Sequence, residues 1–83
     1  MNSNERLIIK GMIQELKEQE QKICAKIEGA SELIRSHCST LLHDSYDQMD
    51  DKIIEVYSEE LVQAIRNLRE LKEKIRKAQR ETK

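Results

Sequence analysis

The sequence predicts an all-α protein: an antiparallel two-helix hairpin of long coiled-coil-like helices, about 4–42 and 46–80, that dimerises into a four-helix bundle. Three observations carry that expectation. Apolar residues recur at alternating steps of four and three from Ile9 to Leu41, the spacing that lines one seam of a coiled-coil helix. That phase is lost just after Leu41 and a second apolar stripe follows. Proline is absent from all 83 residues, so the residue that most often interrupts a long helix is missing. A chain that is 37 % charged, with two tyrosines as its only aromatic Phe, Trp or Tyr side chains, belongs with helical bundles and coiled coils.

The first helix starts near Ser3 or Asn4, either of which suits the N-cap, with Glu5 well placed in the first turn. Its seam is Ile9, Ile13, Leu16, Glu20, Ile23, Ile27, Ala30, Ile34, His37 and Leu41. With Ile13 at heptad position a, Glu20 also falls at a and His37 at d. Polar residues in such a seam fix register at some cost in stability. Glu20 is expected to pair with Lys17 or with a lysine of a facing helix, and His37 to bond a neighbour near the hairpin tip. Met12 and Leu33 at g, with Cys24 and Cys38 at e, widen the stripe beyond two positions, which suits a bundle. Gly29 is the weak point, because a mid-helix glycine costs about 1 kcal/mol against alanine. The seam keeps its phase across it, so the helix is read as continuous, with the small residues at 29–31 allowing close approach of a neighbour.

The turn is expected at about 42–45. Ser45 followed three residues later by Gln48 fits a capping box, and Asp44 is an equally good cap. The second stripe is Tyr46, Met49, Ile53, Tyr57, Leu61, Ala64, Leu68, Leu71, Ile75 and Ala78. Three successive steps of four between Met49 and Leu61 form a stutter, which locally unwinds a left-handed supercoil. From Leu61 onward the heptad is regular. Glu70 with Lys74 and Glu73 with Lys77 are spaced as favourable i,i+4 pairs. The chain reads as one domain, 1–83, with 1–3 and 80–83 as frayed ends. A lone hairpin buries one stripe per helix and has no second layer, so a small scaffold of this kind needs another helical surface. The expected partner is a second copy or another helical protein.

Charge is distributed unevenly although the net charge is only −1. Residues 1–43 hold six basic and six acidic side chains, residues 44–60 one basic and seven acidic, and residues 61–83 eight basic and three acidic. Helix macrodipoles favour these signs at the two ends of the second helix, but act over about one turn. Blocks this long also suit two second helices lying antiparallel across a dimer.

Several function classes find no support. No nucleophile–histidine–acid order, glycine-rich phosphate loop or catalytic carboxylate pair is visible, so no catalytic residue and no enzyme activity is expected. His37, Cys38, His43 and Asp44 lack the spacing of a structural zinc site, and neither metal nor cofactor is expected. Cys24 and Cys38 lie fourteen residues apart on one helix, about 21 Å, too far for a disulfide within the chain. The basic stretch is interleaved with acids and lacks aromatics, which argues against nucleic acid. No apolar run reaches the roughly 20 residues that span a bilayer, and Met1-Asn2-Ser3-Asn4-Glu5-Arg6 does not lead into an apolar signal segment. A cytoplasmic location with no membrane or small-molecule partner is expected.

Asp44-Ser45-Tyr46-Asp47 at the tip of an antiparallel hairpin has the Asp-x-x-Asp spacing found on the coiled-coil arm of RNA polymerase secondary-channel factors, and the chain resembles that arm in shape. The resemblance covers only the tip and the general shape. The four-cysteine zinc element of one such group and the globular domain of the other have no counterpart here. Two roles are thus expected: a non-enzymatic interaction, adaptor or chaperone-like hairpin using the seam residues, or a small regulator presenting Asp44, Asp47, Asp50 and Asp51 to a larger machine such as RNA polymerase.

Overall fold

The computed structural model describes residues 3–39 and 45–81. Helix α1 spans Ser3–His37 and helix α2 spans Asp51–Glu81, and a 3-10 turn, Tyr46–Gln48, precedes α2. The two helices pack against each other, and no strand occurs among the described residues. The molecule is a rod of 65 × 16 × 15 Å with a radius of gyration of 18.9 Å. A globular chain of this length would have about 12 Å. The cross-section is that of one helix pair, so the hairpin has a single seam and no second layer.

Two contacts define the register. The Glu20 carboxylate lies 3.9 Å from the Lys72 ammonium. Near the other end the His37 and Tyr57 rings stack, with centroids 6.0 Å apart and planes at 24°. Both pairs place residues whose numbers total 92 to 94 side by side. The same register sets Ala30 opposite Ala64, and these are 5 % and 3 % exposed. Two small side chains are thus buried between the helices at this level. It also leaves residues 3–11 of α1 projecting about 13 Å beyond Glu81. Leu7 and Ile8, in this stretch and off the heptad seam, are 66 % and 63 % exposed.

The seam runs unbroken through Gly29, which has an ordinary helical backbone. A Cβ built on Gly29 would meet no atom within 4 Å. Of the small residues at 29–31, Ala30 is the buried one, while Gly29 faces open space.

The helix ends differ from the sequence expectation. Ser3 and Asn4 are already helical, so neither is the cap of α1. The last α-type bond of that helix runs from the Cys38 amide to the Ile34 carbonyl at 3.0 Å, and the next, from Ser39 to Ser36 at 3.2 Å, is tightened to the i→i−3 pattern. α1 thus stops at His37 rather than near 42; Leu41 and Asp44 lie outside the described residues. The capping box at Ser45 does not start α2. The amides of Gln48 and Met49 donate to the carbonyls of Ser45 and Tyr46, which closes one 3-10 turn. The Ser45 hydroxyl donates to the Asp47 carboxylate and makes no cap bond. Met49 then adopts an extended backbone, φ −63° and ψ 142°. The α-helix begins after Asp50, whose carboxylate accepts the Ile53 amide at 3.1 Å, an N-cap bond to the third helical residue. The Asp50 carbonyl accepts the first i→i−4 bond, from Ile54 at 3.2 Å.

Candidate interaction surface

Four residues are buried among those described: Ala30, Ala64, Leu71 and Ile75. Among the described residues no side chain is wholly enclosed and no charged or polar residue is buried. Ile9, Ile13, Leu16, Ile23, Ile27 and Ile34 of α1 are half-buried, as are Ile53, Tyr57, Leu61 and Leu68 of α2. These half-buried seam residues are therefore only partly covered by the neighbouring helix. This follows from geometry, since a single partner helix covers about one flank of a stripe as broad as this one.

Coverage of the flanks is unequal. Cys24 and Ser31 on the e flank of α1 are half-buried, as are Ile54, Ser58 and Ile65 of α2. On the g flank Met12 and Leu33 are 52 % and 41 % exposed. Toward the loop, Lys52, Ile53, Val56, Tyr57 and Glu60 line a shallow groove of about 390 Å³. Val56 is 52 % exposed there, and Val62 is 46 % exposed farther along α2. Val56, Val62, Leu7 and Ile8 fall off the heptad, so seam counting missed them. Their signal was simply a large apolar side chain at a position the stripe does not explain. Tyr46, expected on the second stripe, is instead 72 % exposed on the 3-10 turn.

The polar seam residues are positioned from both helices. Glu20 keeps 30 % of its side chain exposed while reaching Lys72, itself 58 % exposed. His37 is half-buried against Tyr57. The Glu73 carboxylate accepts from Arg76 Nη1 at 3.0 Å rather than pairing with Lys77, and Glu70 and Lys74 form no ion pair. The arginine's planar fork suits a carboxylate.

At the loop end, Asp47, Asp50 and Asp51 are all exposed. Asp47 accepts from Ser45, and Asp50 caps α2. These two carboxylates thus have local structural partners, while Asp51 sits in the first turn of α2, where the helix dipole favours an acid. Cys24 is half-buried and Cys38 exposed, and both are free thiols. No group of three or more His, Cys, Asp or Glu side chains is arranged to hold a metal among the described residues. No described helix is long and apolar enough to cross a membrane. The surface offers apolar strips, charge blocks and a shallow groove, which are means of docking another surface. No family model, curated protein or solved structure matches the chain.

Proposed function

We propose that the chain is a non-enzymatic helical-hairpin interaction module, of adaptor or chaperone-like type, acting through self-association or through binding of a partner helix. The observation that supports it is the half-covered seam. Seam isoleucines and leucines are half-buried along almost the whole rod, and Met12, Leu33, Val56 and Val62 are exposed beside it. A second helical layer would remove that surface from water, which is favourable at about 25 cal/mol per Å² of apolar area. Sedimentation equilibrium across a concentration series tests the reading. A reversible dimer or larger assembly is expected. A monomer at every concentration, with full helicity and a cooperative melt, would overturn self-association.

The alternative, a regulator presenting its acidic end to a larger machine, has one observation in its favour. Asp51, Glu55, Glu59 and Glu60 form no ion pair. Replacing Asp44 and Asp47 by asparagine separates the two roles: binding to an isolated RNA polymerase, if present, is lost under the regulator reading, and self-association is retained under the first.

A further inference from the structure

We propose that a second copy of the chain docks alongside the first in the opposite sense, with the loop end of each rod against the open end of the other. The inference rests on the self-association reading and adds the orientation.

The hairpin turns the charge blocks of the sequence into a dipole along the rod. The half toward the loop, residues 21–39 and 45–60, carries four basic and eight acidic side chains, a net of −4. The other half, residues 3–20 and 61–81, carries ten basic and seven acidic, a net of +3. Folding does not cancel this, because α1 is nearly neutral along its length and has little to offer either block of α2. Glu55 and Glu59 at one end, and Arg66, Arg69, Lys74 and Lys77 toward the other, form no ion pair. The helix macrodipoles do not set the orientation either, since α1 and α2 run antiparallel and their dipoles oppose. The side-chain blocks are what remains.

Packed helices lie about 8–10 Å apart, which is within the Debye length of roughly 8–10 Å at moderate salt. Docking in the same sense would set −4 beside −4 and +3 beside +3. Docking in the opposite sense sets −4 beside +3 twice.

The exposed apolar side chains accommodate this arrangement. Met12 and Leu33 are both at heptad position g, three heptads apart, and both are exposed. A twofold axis near residue 22 brings Met12 of each copy level with Leu33 of the other. The same-sense arrangement would also match these residues, methionine with methionine and leucine with leucine. The apolar strip thus provides the contact, and charge selects the direction.

Cys38, exposed near the loop end, reports the direction. A spin label is attached to Cys38 in a Cys24→Ser variant, or Cys24→Ala if the serine lowers helicity, and the inter-copy distance is measured by pulsed electron resonance. Sedimentation on the labelled protein establishes the assembly independently. The opposite sense places the two labels about 45 Å apart along the axis, and the same sense within about 30 Å. A dimer with the long distance supports the proposal. A dimer with a short distance overturns the orientation and leaves self-association standing. A monomer overturns both. The dimer dissociation constant is also expected to rise several-fold between about 50 and about 500 mM salt; an unchanged constant would remove charge as the selector.

Discussion

The regular half of α2 and its stuttered half differ in what they bury. From Leu61 to Ala78 the stripe steps in strict heptads, and Ala64, Leu71 and Ile75 are buried against α1. From Met49 to Leu61 the stripe steps in fours, and nothing there is buried. Tyr46 is outside the helix, Val56 is exposed, and Ile53 and Tyr57 are half-covered. A row of fours drifts around the helix surface, because four residues turn 400° against a full turn of 360°. A straight neighbour follows the heptad and loses the drifting row. The seam is therefore well packed from Ala64 to Ile75 and only half-covered toward the loop, and the half-covered part is also the acidic one.

Truncation should expose that asymmetry most strongly. Leu71→Ala is expected to lower unfolding stability by about 2–4 kcal/mol, because the buried site cannot collapse around the missing atoms. Val56→Ala should stay within about 0.5 kcal/mol, as for exposed sites generally. Urea melts followed by circular dichroism compare the two, and equal losses would erase the distinction. Overfilling the narrowest point comes next. Ala64→Leu forces extra volume between α2 and Ala30 and is expected to cost about 1–3 kcal/mol; a neutral result would mean that the axes are farther apart than the burial of both alanines implies.

The start of α2 offers a test at the boundary between the two regions. Asp50→Ala removes the bond to the Ile53 amide and should cost about 1 kcal/mol. Ser45→Ala should cost less, since its hydroxyl caps nothing. The reverse order would return the helix start to Ser45. Gly29→Ala should stabilise by about 0.5–1 kcal/mol, as the added methyl meets open space within the hairpin; a loss instead would show that another copy packs on Gly29. Lys72→Met should also have a small effect. The pair with Glu20 is largely solvated, so its removal should change stability by under about 1 kcal/mol.

The seam was legible because a heptad is a property of one helix considered alone. Ile9 to Ile34 and Leu61 to Ile75 could be placed on inner faces by counting. Helix ends were less legible. Two stretches, Ser45 to Gln48 and Asp50 to Ile53, each offer an oxygen followed three residues later by a helical position, and sequence pattern favoured the first. The structure uses the second because Met49 turns extended between them. The 3-10 turn at 46–48 was hidden for the same reason: a single turn has the composition of a helix start.

What composition and periodicity determined by themselves was that this chain makes two long amphipathic helices, since proline is missing and the apolar spacing matches the helical repeat. Only the tertiary structure decided that α1 stops at His37, that Glu20 meets Lys72, and that Ala30 rather than Gly29 is buried against α2. The reason is physical: a repeat specifies which face is inward, but sliding one helix past another by a heptad leaves that face unchanged. Register is selected by where small side chains let the axes approach and where rings and charges then meet.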